Sequence, residues 1–123
     1  EGLEARWARH RRHQEALLAG LSAIGLQPVV EKAEWRLPSL TTVRIPDGVD
    51  DIAVRKQLLG QFDLEIGGGL GVFQGNAWRV GLMGHTSTAK NVISLLAALE
   101  CCLATCGYQA QGAVRAAADR LGD

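Results

Sequence analysis

Apolar residues in the N-terminal part of the chain recur at helical spacing. Leu17, Leu18, Leu21 and Ile24 form an i, i+1, i+4, i+7 stripe, with Leu3 and Trp7 one turn apart upstream. This pattern predicts a helix from Leu3 to Ile24 that stops at Gly25. Gly20 weakens its interior slightly. Pro28 and the Glu31–Arg36 stretch read as a loop or short edge strand. Ser39–Ile45 is rich in β-branched residues and ends at the turn signature Pro46-Asp47-Gly48, so a strand is expected there. Asp50 is placed to cap a helix running to about Gly60, with Ile52, Leu58, Leu59 and Phe62 facing inward.

The pattern then changes period. Phe62-Asp63-Leu64-Glu65-Ile66 alternates apolar and polar, which predicts a short strand with one wet face. A glycine-rich loop follows, and Ala77–Met83 reads as a second strand. Thr86–Thr88 supply hydroxyls for a helix start, and Val92, Leu95, Leu96, Leu99 and Leu103 give that helix its buried stripe up to Gly107. Val114, Ala117, Ala118 and Leu121 mark a last amphipathic helix. The predicted order is α-β-α-β-β-α-α. This is an α+β fold with a small, mostly antiparallel sheet of three or four strands and helices packed on one face. No internal repeat or low-complexity linker interrupts residues 1–123, so a single domain is expected.

Composition narrows the class of function. The 123 residues are 47% apolar and 21% charged, as in a globular domain. Thirteen basic residues balance thirteen acidic ones, leaving no electrostatic reason to expect nucleic acid or an anionic membrane as partner. No apolar run approaches the roughly 18 residues of a membrane span. The chain opens on Glu1 in helix-forming sequence, which suggests a piece of a longer polypeptide. The C-terminal Leu121-Gly122-Asp123 is not a peroxisomal signal, and cytoplasm is the expected location. Arg6 to His13 holds four arginines and two histidines. Glu1, Glu4 and Glu15 offset most of that charge, so a solvated face is expected. His10 and His13, at i, i+3, lack a further ligand for a metal. Cys101, Cys102 and Cys106 fall within one helix and read as reduced thiols, packed rather than metal-bound.

The segment richest in candidate chemistry is Gly67 to Gly84. Period two puts Trp78, Val80 and Leu82 on one face of their strand and Ala77, Arg79, Gly81 and Met83 on the other. Small neighbours leave space beside the Arg79 guanidinium, the layout by which a bidentate donor receives an anion. An internal pairing with Glu65 is the plainer alternative. The loop Gly69-Leu70-Gly71-Val72-Phe73-Gln74-Gly75 leads into a strand, not into the helix N-terminus of a dinucleotide site. Its glycines suit close backbone approach or a mobile flap. Lys32, Lys56 and Lys90 all read as solvated, and none resembles a Schiff-base lysine. His85 has no neighbouring nucleophile. No catalytic centre is expected in this chain.

Four blocks resemble a known family, in order and in compatible spacing from Glu1 to about Leu103. They are Glu1-Gly2-Leu3-Glu4-Ala5-Arg6-Trp7-Ala8-Arg9-His10, Arg36-Leu37-Pro38-Ser39-Leu40-Thr41-Thr42-Val43, Phe62-Asp63-Leu64-Glu65-Ile66-Gly67-Gly68-Gly69-Leu70-Gly71, and Trp78-Arg79-Val80-Gly81-Leu82-Met83-Gly84. Together they are similar to the C-terminal part of the alanine–glyoxylate and serine–glyoxylate aminotransferases, the class V branch of the fold-type I pyridoxal-phosphate enzymes.

The resemblance implies that Arg79 binds the α-carboxylate of a small amino or keto acid. It implies that Gly67, Gly68, Gly69 and Gly71 lie by the substrate entrance, and that residues 1–25 form a connector helix. Pyridoxal 5'-phosphate, with its lysine and other ligands, would belong to a large domain absent from this chain. The intact enzyme would be a dimer moving an amino group from alanine or serine to glyoxylate or pyruvate. His85 and Thr86 fall where the family varies. The alternatives are a stand-alone small-molecule-binding or regulatory module, or a domain of another class V enzyme. A desulfurase relative would carry a reactive loop cysteine, whereas all three cysteines here are helical.

Overall fold

The computed structural model describes residues 2–29, 40–69, 75–81 and 88–122. In chain order the elements are α1 (Leu3–Ala23), β1 (Leu40–Arg44), α2 (Asp51–Phe62), β2 (Gly67–Gly68), β3 (Ala77–Gly81), α3 (Ala89–Thr105) and α4 (Ala113–Leu121). This is the order read from the sequence. The three strands form an antiparallel sheet in the order β1-β3-β2, so β3 is central and β2 lies at an edge.

Local chemistry accounts for the helix ends. Gly25 takes φ 83 and its N–H returns to Ser22 O at 3.0 Å, closing α1. The Asp50 carboxylate accepts the Ala53 N–H at 3.0 Å and caps α2. That helix runs two residues past Gly60 and closes with Asp63 in the left-handed region, φ 55, and Leu64 N–H bonded to Leu58 O at 3.1 Å. Thr88 Oγ1 accepts the Asn91 N–H at 3.1 Å to start α3, and Gly107, φ 85, follows its end.

One core joins the helices to one face of the sheet. Val43, Trp78 and Val80 are buried from the sheet side, and Leu17, Leu21, Leu58, Leu96, Leu99 and Leu103 from the helices. The stripe expected for α3 is buried throughout. α1 packs on α4 and α3, and α2 on α3. Gly20 marks the tightest crossing. A methyl there would collide with a Leu96 methyl group and lie 2.8 Å from the Ala113 carbonyl oxygen. The absent side chain lets three helices meet. Tyr108, after α3, ties that junction to the end of α1 by donating its hydroxyl to Ile24 O at 2.5 Å.

Three expectations are corrected. Residues 62–66 are not a ladder strand: Phe62 ends α2, and strand pairing begins only at Gly67. The burial alternation is nonetheless present, with Ile66 buried and Asp63 and Glu65 exposed. On α2 the inward face is Val54 and Leu58, while Ile52 (67% exposed), Leu59 (51%) and Phe62 (38%) turn outward. Finally, the basic stretch of α1 is not wholly solvated, because His13 and Gln14 are buried at its C-terminal end. Leu82, Met83 and the Glu31–Arg36 segment lie outside the described residues.

Candidate functional site

Arg79 lies in the middle of β3 and pairs with Thr42 of β1 on one side and Gly67 of β2 on the other. The neighbouring register row is Val43, Trp78 and Gly68. Alternation sends the two rows to opposite faces of the sheet. Val43 and Trp78 point into the core, so Thr42 and Arg79 look away from it, and Arg79 is half-buried.

Two glycines frame the arginine. Its Nε donates to Gly68 O at 2.7 Å. A methyl group on Gly67 would lie 3.1 Å from Arg79 Nη2 and 3.3 Å from Cζ and Nε, so the guanidinium occupies space a side chain would contest. With Nε committed to a backbone carbonyl, the two terminal nitrogens have no hydrogen-bond partner among the described residues. No carboxylate among the described residues pairs with Arg79. Glu65, the alternative partner, is exposed beside α2. There it lines an open groove of about 330 Å³ with Ile52, Arg55, Lys56, Leu59 and Ile66.

A polar network on the opposite face escaped the sequence reading. Asp51 Oδ1 accepts from the Trp78 indole Nε1 at 2.7 Å and from Arg55 Nε at 2.8 Å, and Oδ2 accepts from Arg55 Nη2 at 3.1 Å. The hydrogen bond to Asp51 raises the Arg55 pKa, against a smaller opposing effect of burial, and the guanidinium stays charged. Arg55 covers Gly68, where a methyl would sit 3.3 Å from its Cζ. Two signals were available in the sequence. Asp51 and Arg55 stand at i, i+4 on one helix, and a buried tryptophan needs an acceptor for its indole N–H.

The remaining candidates are dispersed. Gly69 is buried beside β2, while Gly71, Lys32, His85 and Thr86 lie outside the described residues. Lys56, on α2, and Lys90, in the first turn of α3, are exposed. All three cysteines are free thiols. Cys101 is exposed and Cys102 buried, and burial, helped by the neighbouring Cys101 and Cys106, pushes the Cys102 thiol up to about 11. His10 Nε2 is buried without a hydrogen-bond partner among the described residues, and no cluster of metal-ligating side chains occurs among them.

Four helices and a three-stranded antiparallel sheet are shared with solved aminotransferases, each matched over only part of its chain. The sequence is 42% identical over 121 residues, 97% of this chain, to the (S)-ureidoglycine–glyoxylate transaminase of Bacillus subtilis. It is 39% identical over 106 residues, 86% of this chain, to the alanine–glyoxylate aminotransferase of Felis catus. The crystal structure of ureidoglycine–glyoxylate aminotransferase from Bacillus subtilis superposes with a TM-score of 0.93 at 39% identity, covering 100% of this chain and 32% of that one. Pyridoxamine–pyruvate aminotransferase from Mesorhizobium loti gives a TM-score of 0.92 at 32% identity, covering 98% and 31%. No family model matches the chain. In fold and in sequence the chain is similar to part of these aminotransferases. It spans 29% of the length of the Bacillus subtilis transaminase and 26% of the cat enzyme.

Proposed function

We propose that this chain acts as the substrate-carboxylate-binding domain of an aminotransferase that moves an amino group from a small amino acid, such as alanine or serine, to glyoxylate or pyruvate. The observation that carries the reading is Arg79, half-buried on the sheet face turned away from the core, held by Gly68 O at 2.7 Å and without a carboxylate partner among the described residues. Three relatives named for glyoxylate or pyruvate support the choice of acceptor. The glyoxylate or pyruvate in each name is a small keto or aldehyde acid that carries a carboxylate.

In this reading the large domain of the same enzyme docks over the sheet face that carries Arg79, and residues 1–25 of the single domain 1–123 connect the two. The extent of the matches, near 30% of each relative, supports such a division. Exposed Leu3 and Trp7 on α1 suit the covered position a connector helix would take. Pyridoxal 5'-phosphate, held by the large domain, supplies an electron sink for amino transfer. Residues of this chain bind and orient. Arg79 fixes the substrate carboxylate through its terminal nitrogens, and each charge-assisted bond contributes about 1.5–3 kcal/mol. Gly67, whose missing side chain leaves room for the Arg79 guanidinium, keeps the approach unobstructed. A homodimer and a cytoplasmic location complete the proposal.

The test is Arg79→Ala in the full-length protein loaded with pyridoxal phosphate. Loss of the equivalent of one charge-assisted bond raises KM for both the amino donor and glyoxylate by about ten- to a hundredfold. The cofactor absorbance stays unchanged. Unaltered KM values would place the carboxylate elsewhere and end the proposal.

A further inference from the structure

The polar network behind the sheet converges on the residues that hold Arg79. Asp51 sits at the start of α2, its side chain 12% exposed, and its carboxylate accepts from both Trp78 Nε1 and Arg55. Trp78 immediately precedes Arg79 on β3 and pairs with Gly68 of β2. Arg55 lies over that same Gly68, and the carbonyl of Gly68 is the acceptor for Arg79 Nε. β2 is a two-residue edge strand, so its ladder provides little to keep Gly68 in place. The ties through Asp51 make up that deficit. They anchor the β3 side of the pair through the indole and cover the β2 side with a guanidinium.

We propose that Asp51 is a positioning residue for Arg79, acting through Trp78 and Arg55 to fix the Gly68 carbonyl that orients the Arg79 guanidinium. The inference rests on the carboxylate-binding role of Arg79 given above. Without the Asp51 carboxylate, a fully buried indole loses its acceptor and Arg55 loses both of its bonds to it. The Gly68–Trp78 pair then loosens, and Arg79 keeps its charge but loses its aim. Binding of a small rigid acid depends steeply on that aim, because a misplacement of about 1 Å can cost two orders of magnitude.

The experiment is a mutant cycle in the full-length protein with bound pyridoxal phosphate, reading KM and kcat for glyoxylate and the cofactor absorbance. Asp51→Ala is expected to raise KM about tenfold with kcat held within about twofold, in the range of coupling seen between residues of one network. Asp51→Asn, which keeps an acceptor for the indole, recovers part of the loss. In an Arg79→Ala background Asp51→Ala changes KM no further, since there is no guanidinium left to aim. An unchanged KM in Asp51→Ala overturns the inference, and so does an equal rise in both backgrounds, which marks a purely structural effect. If Asp51→Ala fails to fold, Trp78→Phe, which deletes the indole N–H, decides. A KM rise of about threefold supports the inference and no rise overturns it. A raised KM in Arg79→Ala beside normal values in both network variants rejects the inference alone. Normal KM in Arg79→Ala rejects the carboxylate-binding reading and this inference together.

Discussion

Gly67 and the Arg79 guanidinium compete for one volume: a methyl group on the glycine would stand 3.1 Å from Nη2 and 3.3 Å from Cζ and Nε. Those distances are tighter than ordinary van der Waals contact, and the bond from Nε to Gly68 O at 2.7 Å limits how far the guanidinium can withdraw. Gly67→Ala is therefore expected to shift the charge by a few tenths of an ångström while leaving it in the site. In the full-length protein KM for glyoxylate should rise about three- to tenfold, less than for removal of the arginine. Stability should change by less than about 1 kcal/mol, a modest strand-propensity effect. Steady-state kinetics beside a urea titration check both. A variant with normal KM would show that the guanidinium has room to spare.

Gly20 poses the opposite case, where chemistry is untouched and packing is at stake. Helix propensity alone favours alanine there by about 1 kcal/mol. The Leu96 methyl that a new Cβ would meet belongs to a side chain that can rotate, but the Ala113 carbonyl at 2.8 Å is backbone. Gly20→Ala is expected to destabilise the domain by about 1–2 kcal/mol as α1, α3 and α4 are forced apart. Chemical denaturation measures the change, and a stabilised variant would contradict the packing argument.

Cys102 makes a prediction about pH. Burial first, then the neighbouring Cys101 and Cys106, raises its thiol from 9.0 to about 11 in the folded protein. The folded state thus binds a proton that an unfolded chain releases near 9. The stability linked to this group is fully present below pH 9 and is lost as pH rises through 11. At pH 8 a thiol reagent should label exposed Cys101 and leave Cys102 unmodified until the protein unfolds. Mass spectrometry of the labelled peptide distinguishes the two adjacent positions. Rapid labelling of native Cys102 at pH 8 would refute its burial.

The elements legible in the sequence are those whose signals are local. The leucines of α1 and α3 repeat at 3.6-residue spacing, and the stops at Gly25 and Gly107 need only the left-handed conformation that glycine tolerates. Asp50 and Thr88 cap their helices by bonds to residues three positions on. Arg79 was legible as a candidate because alternation along β3 assigns its face. Where the reading missed, two patterns competed. Phe62–Ile66 alternates like a strand, yet its first residue is claimed by the cooperative end of α2. The outward turn of Ile52 and Leu59 follows from α2 docking through Val54, Leu58 and Asp51. Apolar periodicity cannot distinguish that face from its neighbour when both carry leucines.

Element order, helix caps and the strand carrying the arginine follow from interactions between residues a few positions apart, which the linear order of side chains encodes directly. Folding settled which groups surround that arginine. Gly68 offers its carbonyl, Gly67 yields space, Glu65 lines the groove along α2, and Asp51 grips Trp78 from a helix 27 residues earlier. Such relations depend on strand register and helix docking, and those arise from packing the whole core at once rather than from any local preference.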